Sequence, residues 1–260
     1  MNTIVNYYTE QYDESKRLDS SCDNRHKTEI INKAYLITSC IEQILSQTNT
    51  RPIKIIDVGA GVGYWTDFIL KKWKTNVEIH CGDIVPKHNS IMYQRFENYD
   101  NVHVTQMNAL NLNHSMYGIF DMVICGGPMY HLNDTDSTIA ATMLLNVCKP
   151  NGLILVDWLP EAHGAINWSL MKNTPVNNVN EIDGIFHYKT SDKVTNLFSG
   201  FKILGHYGID SITRFIEDKI NQWNDSQLEL YCETIRKHWN LNPDLSEHAI
   251  SIIQKTPMEN

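Results

Sequence analysis

No stretch of this 260-residue chain approaches the roughly 20 consecutive apolar residues that a bilayer-spanning helix requires, so no membrane partner is expected. Basic residues are in the minority: 22 Lys and Arg face 30 Asp and Glu, for a formal charge of −8. That balance argues against a broad basic face for nucleic-acid phosphates or anionic lipid. The six cysteines (Cys22, Cys40, Cys81, Cys125, Cys148 and Cys232) contain no C-x-x-C pair and no zinc spacing. Several fall inside apolar, core-facing patterns, so reduced structural thiols in a cytoplasmic protein are expected. The histidines show no H-x(3)-H or comparable metal spacing, and no metal is expected. Residues 1–23 are polar and carry both charge signs, unlike a secretory leader. There is no internal repeat and no compositionally biased segment. The composition is still 42% hydrophobic, enough for a sizeable core in one domain with a lid or insertion.

What is present begins at residues 53–65, Ile-Lys-Ile-Ile-Asp-Val-Gly-Ala-Gly-Val-Gly-Tyr-Trp. An apolar run ends in an acid and a glycine-rich turn, and an apolar periodicity of helical type follows through Phe68, Ile69, Leu70 and Trp73. This order predicts a buried strand, a tight loop and a helix, the place where an α/β sheet holds a nucleotide-like ligand. Glycine lets the loop turn with positive φ and approach a ligand, while the helix N-terminus offers unpaired N–H groups. Upstream, Ile30, Ala34, Ile37, Ile41, Ile44 and Leu45 mark an amphipathic helix over 29–45 that Arg51-Pro52 ends. Further helices are expected at 64–73, 87–97 and 135–148, the last capped by Asp134 or Asp136 and stopped by Pro150-Asn151-Gly152. Strand candidates lie between them. Alternating strands and helices imply a doubly wound, mostly parallel sheet. Residues 159–200 read as irregular. Residues 201–207 and 248–254 read as two closing strands, with two helices between them bearing Ile212, Phe215, Ile216, Ile220 and Trp223, then Leu228, Tyr231, Cys232, Ile235 and Trp239.

The dinucleotide fingerprint G-x-G-x-x-G needs a third glycine where this chain has Tyr64. The pattern here, D-x-G-x-G-x-G from Asp57 through Gly59, Gly61 and Gly63, instead resembles motif I of class I S-adenosylmethionine-dependent methyltransferases. Asp83 lies 20 residues beyond Gly63, at the end of the next strand candidate, a spacing that suits a ribose-binding acid. Asn108-Ala109 resembles the segment of that family that contacts adenine, with Asn108 in place of the more frequent Asp. Residues 120–132, running through Cys125-Gly126-Gly127-Pro128-Met129-Tyr130-His131-Leu132, resemble its motif IV, and residues 147–157 resemble the helix end and fifth strand written LKPGG. The resemblance covers residues 53–157. A narrower likeness, to a bacterial subgroup whose motif IV loop reads G-P-x-Y-H-L, extends to residues 7–18 and to the C-terminal strand.

The resemblance implies an α/β, Rossmann-like fold: a seven-stranded, mostly parallel sheet, its last strand antiparallel, with helices on both faces and a helical cap. One domain, 1–260, would comprise an N-terminal lid segment (1–25), a cofactor-binding core (26–158), an irregular substrate-side segment (159–200) and the last two strands with inserted cap helices (201–256). S-adenosylmethionine would lie on Asp57, Gly59, Ala60, Gly61 and Gly63, with Asp83 and Ile84 at the ribose, Asn108 and Ala109 at the adenine, and Cys125 at the end of the fourth strand. Arg17 would reach the cofactor carboxylate. Tyr8, Tyr12 and Trp158 would line the acceptor site. Tyr130 and His131 would stand where the acceptor meets the methyl group, His131 either as a base or as a residue that bonds its own loop.

The expected activity is methyl transfer to a small-molecule O, N, S or C nucleophile, releasing S-adenosylhomocysteine. Two alternatives carry different chemistry. A nucleic-acid base methyltransferase uses a (D/N/S)-P-P-(Y/F/W) loop, but this chain has glycine at the gripping position, Gly127, and is acidic. A non-catalytic S-adenosylmethionine-binding partner protein would keep the cofactor motifs without turnover. The acceptor, the oligomeric state and the pathway are not legible.

Overall fold

A computed structural model describes residues 24–161, 186–209, 217–238, 242–246 and 248–256. Arg17, Tyr8 and Tyr12 lie outside the described residues, as do Tyr7, Cys22, Ile212, Phe215, Ile216 and Trp239.

Seven strands form one sheet in the order β3-β2-β1-β4-β5-β7-β6. They are β1 (Ile53–Val58), β2 (Val77–Gly82), β3 (Val102–Val104), β4 (Phe120–Cys125), β5 (Cys148–Trp158), β6 (Lys202–Gly208) and β7 (Ala249–Gln254). β1 pairs in parallel with β2 and β4, β2 with β3 and β4 with β5. β7 runs antiparallel to both β5 and β6, as the resemblance implies.

The helices are α1 (Asn24–Gln47), α2 (Tyr64–Trp73), α3 (Pro86–Arg95), α4 (His114–Tyr117), α5 (Asp134–Val147), α6 (Ser191–Leu197), α7 (Glu217–Ile220) and α8 (Asp225–His238). They cover both sheet faces. On one, Ile37, Ile41, Ile69 and Leu70 pack on Ile53, Ile55, Ile79 and Ile124; on the other, Ala141, Leu144, Val194 and Phe198 pack on Ile56, Val123, Ile154 and Ile253. A parallel sheet buried on both faces explains the unbroken Ile and Val runs of its strands. Each such side chain contributes about 1.5–3 kcal/mol of transfer free energy when fully buried.

Local chemistry places the helix ends. Gly63 starts α2 with φ +83°, and an added Cβ would lie 2.6 Å from the Phe96 ring, so this position needs glycine for both conformation and space. The cap of α5 is Asn133, whose side chain accepts from the Asp136 N–H; Asp134 and Asp136 instead occupy the first turn. Lys149-Pro150-Asn151-Gly152 lies within β5 rather than in a loop, because Asn151 donates its N–H to Lys255 and Lys255 donates to Gly152 beyond the end of β7.

α1 departs from its expected stripe. Ile30 and Ala34 are only half-buried, whereas Thr28, Asn32 and Lys33 are buried. The reason is α8, which packs on the first half of α1: Arg236 donates to Asn32 at 2.8 Å, and Leu228, Cys232 and Ile235 are buried.

The crossovers run outward from β1 through β2 to β3, then reverse at β4. The reversal opens a crevice at the carboxyl ends of β1 and β4, where open α/β sheets bind ligands.

Candidate active site

The glycine loop spans that crevice. Gly59, Gly61 and Gly63 all have positive φ, and a Cβ on Gly59 would meet Pro128 at 2.4 Å. Such close approach seats the β4 loop directly on the glycine loop. The Gly59 and Ala60 N–H groups both donate to the Gly82 carbonyl, at 2.8 and 3.0 Å, tying the loop to the end of β2.

Asp83 completes that tie. Its Oδ2 accepts from the Gly61 N–H at 2.9 Å and its Oδ1 from the Val85 N–H at 2.9 Å, with His88 Nδ1 3.3 Å from Oδ1. Burial alone would raise this carboxyl, but His88 and the two backbone donors outweigh it and hold the group below the usual carboxylate range. Asp83 is therefore ionised. Asn89 braces the same corner by accepting from the Asp83 N–H and donating to its carbonyl, with half-buried Ile84 beside it. The Met107 N–H donates to the Asp83 carbonyl at 3.2 Å, which brings the 105–110 loop alongside. There the Asn108 Oδ1 accepts from the Leu110 N–H at 3.0 Å, and Ala109 is buried. Thus the structure assembles Gly59, Ala60, Gly61, Gly63, Asp83, Ile84, Asn108 and Ala109 at neighbouring strand ends.

The interior of the crevice is anionic. Asp57 is 1% exposed; its Oδ2 accepts from the Thr66 hydroxyl at 3.0 Å, while its Oδ1 has no hydrogen-bond partner among the described residues. Burial pushes its carboxyl up to about 6, against the pull of Thr66 and Lys33 and with help from the charges of Asp83 and Asp157. Asp157, at the end of β5, forms a buried ion pair through Oδ2 with Lys33 of α1, and its Oδ1 is likewise unpartnered. Burial raises this carboxyl too, opposed by Lys33. The Lys33 ammonium lies 5.0 Å from the Trp65 ring centroid and would be 3.0 Å from a Cβ on Gly126. Lys33 thus pairs with Asp157 and acts on Asp57, while the charge of Asp83 reaches Asp57 from the end of β2; fully ionised, these four groups sum to a charge of −2.

Sequence reading missed Lys33 as a site residue. The available signal was a lysine three residues after Ile30 and four before Ile37, a charged residue within an apolar helical stripe. Lys189 was missed as well. It is almost fully buried and donates to the Met129 and Leu132 carbonyls at 2.8 and 3.0 Å, fixing the 3-10 turn Pro128–His131. Burial lowers its pKa to about 8.

That turn carries Tyr130 and His131. The Tyr130 hydroxyl lies 3.4 Å from the Gly126 carbonyl, and its ring meets His131 edge-on at 4.8 Å. His131 is buried against Phe186, with ring centroids 5.1 Å apart. Cys125 belongs to the core, and burial drives its thiol far above the usual thiol range, so only its backbone can face the crevice. Trp158 requires a correction: it is fully buried in the core and its indole N–H donates to Ser251 at 2.9 Å, which leaves no ring surface to line an acceptor site.

Residues 55–152 match the family model described as "Methyltransferase domain". A non-reducing polyketide synthase of Penicillium brasilianum, prhL, is 27% identical over 120 residues; these are 44% of this chain and 5% of that protein, so the chain spans a small fraction of the curated relative it matches. Among solved structures, magnesium protoporphyrin IX methyltransferase of Synechocystis, crystallised with bound SAH, shares 14% identity with a TM-score of 0.65, covering 98% of this chain and 100% of the other. The N-methyltransferase NodS of Bradyrhizobium japonicum, also in complex with S-adenosyl-L-homocysteine, shares 13% identity at a TM-score of 0.58 and covers 98% of each chain. At these identities the structural likeness is one of fold. The sequence match is thus confined to the β1–β5 core, and the fold is the Rossmann-like one of methyltransferase structures.

Proposed function

We propose that the crevice binds S-adenosylmethionine and that the protein catalyses transfer of its methyl group to a small-molecule acceptor. The observation that carries this reading is the anionic crevice, where Asp57 lies within reach of the charges of Asp83 and Asp157 and Lys33 pairs with Asp157. S-adenosylmethionine brings a sulfonium and an ammonium against one carboxylate, a net charge of +1, whereas S-adenosylhomocysteine has a neutral sulfur and no net charge. A negative cavity of low dielectric favours the first over the second. Asp83, ionised and held on the glycine loop, would accept from the ribose hydroxyls with Ile84 alongside; Asn108 and the Ala109 N–H would read the adenine. Arg17 would serve the cofactor carboxylate, and Tyr8 and Tyr12 the acceptor.

In the reaction a lone pair of the acceptor attacks the methyl carbon in line with the C–S bond, whose electrons return to sulfur as a thioether. The sulfonium is an activated donor, so alignment supplies most of the catalysis, up to about 7–11 kcal/mol. Tyr130 and His131 occupy the turn beside the β4 end and would meet the acceptor there; His131 would take the proton if the acceptor loses one. The subgroup with the G-P-x-Y-H-L loop is the proposed affiliation. A cytoplasmic location fits the five free, buried cysteines Cys40, Cys81, Cys125, Cys148 and Cys232.

Calorimetry with S-adenosylmethionine and with NAD, together with mass spectrometry of any co-purified nucleoside, tests the cofactor. Binding of the sulfonium compound and none of NAD is expected. Asp83→Ala should weaken it by about 1.5–3 kcal/mol, roughly 10- to 150-fold. Binding of NAD instead, or unchanged affinity in that variant, would sink the assignment. A labelled-methyl screen of metabolite pools then identifies the acceptor.

A further inference from the structure

Away from the crevice, the open edge of the sheet carries a second chemical cluster. Glu78 and His80 are two residues apart on β2 and so project from the same face. His103 is the register partner of His80 on β3, which places it on that face too. Their donors converge: His80 Nε2 lies 3.3 Å and His103 Nε2 3.7 Å from the same oxygen, Glu78 Oε1. One ligand atom from each of the three residues fits within a spread of 4.8 Å.

We propose that Glu78, His80 and His103 form a binding site for a divalent transition metal of the zinc class on the β2–β3 edge. Zinc bonds to imidazole nitrogen and carboxylate oxygen run about 2.0–2.2 Å, and tetrahedral angles then space the donors about 3.3–3.5 Å apart. Both separations from Glu78 are within a few tenths of an ångström of that spacing. The two imidazole planes are tilted by 51° with centroids 4.5 Å apart, so the rings converge without stacking face to face. Two imidazoles and one carboxylate suit zinc, nickel or copper; magnesium and calcium prefer an all-oxygen shell. The fourth position would be left to water.

The surroundings agree with that chemistry. Phe120 on β4 meets His80 edge-on at 5.1 Å, giving one ring an apolar floor. The competing cation is Lys54 on β1, whose ammonium is 3.4 Å from Glu78 Oε1. Its side chain is half exposed and can swing into solvent when a divalent ion arrives.

The consequence concerns the sheet edge. β3 has only three residues and one neighbouring strand, and it leads directly into the loop of Met107 and Asn108. A metal held by β2 and β3 together would bind the folded edge and not the unfolded chain, and so stabilise it by mass action. This site is independent of the methyl-transfer reading.

The test is a titration of metal-free protein with Zn2+ at pH 7.5, followed by calorimetry and by the thermal midpoint, with Co2+ absorption as a check on ligand geometry. One equivalent should bind and raise the midpoint. The double variant His80→Ala/His103→Ala should lose at least tenfold in affinity, and Glu78→Gln, nearly the same shape without the charge, should also weaken binding. His114→Ala should not. Failure of the intact protein to bind Zn2+, or equal affinity in the double variant and Glu78→Gln, would overturn the proposal.

Discussion

Replacing Asp57 with asparagine separates the energetic cost of the anionic crevice from its use. The Asp57 carboxylate is buried, with one oxygen on Thr66 and the other unpartnered among the described residues. Its pKa rises from 3.8 to about 6, and at about 1.4 kcal/mol per unit this is a penalty of about 3 kcal/mol when the group is ionised. The direction follows from linkage. Below about pH 3.8 the group is neutral in both the folded and the unfolded chain, and it costs nothing. Between about 3.8 and 6 the folded chain retains a proton that the unfolded chain has lost, so stability falls as pH rises; above about 6 the full penalty applies. Asparagine does not titrate. It still accepts from Thr66, but its amide N–H groups need partners, a cost of about 1–3 kcal/mol that does not change with pH. The stability difference between Asp57→Asn and the parent should therefore shift in the variant's favour by about 2–2.5 kcal/mol from pH 4 to pH 7, then stay level. Urea unfolding at closely spaced pH values reads this difference directly. A difference constant to within about 1 kcal/mol would refute the buried, ionised Asp57. If the crevice takes a cationic cofactor, the parent's affinity for S-adenosylmethionine should fall below about pH 6, whereas that of the variant should be lower and flatter.

The pair Lys33–Asp157 makes a complementary prediction. Lys33→Met leaves the Asp157 carboxylate buried without its counter-charge and should cost about 3–5 kcal/mol, whereas Lys33→Met/Asp157→Leu should recover most of that loss; simple additivity in denaturant unfolding would refute the coupling. Gly63→Ala should lose about 1–2 kcal/mol from its left-handed backbone and more from the contact with Phe96. Adding Phe96→Leu should return only the contact part, as read by thermal unfolding; full recovery would refute the backbone contribution.

Local chemistry made much of the fold legible. The helix expected at 64–73 is the helix found, because a glycine turn, an apolar periodicity and a terminal tryptophan all act within ten residues. The helix starts at 86 and 134 each lie one residue before the expected position, since Pro86 suits a first helical position and the Asn133 side chain takes the cap by accepting from the Asp136 N–H. The start of β5 was not legible. Pro150-Asn151-Gly152 has the composition of a turn and locally turns, with Asn151 at φ +62° and residues 149–152 bulged from the β4 register; only its hydrogen bonds with Lys255, from the far end of the chain, carry the strand through it.

Near-neighbour chemistry was enough for the strand–loop–helix unit, the order of the motifs and the spacing from Gly63 to Asp83. These depend on backbone freedom and on periodicity, which act between near neighbours. Only the folded chain brings Lys33 of α1 to Asp157 of β5, 124 residues away, and Lys189 to the turn of Tyr130 and His131. It also turned Trp158 from a candidate acceptor contact into a core residue. Charges buried at the ends of distant strands interact strongly because the fold excludes water from between them, and a linear sequence records no such distances.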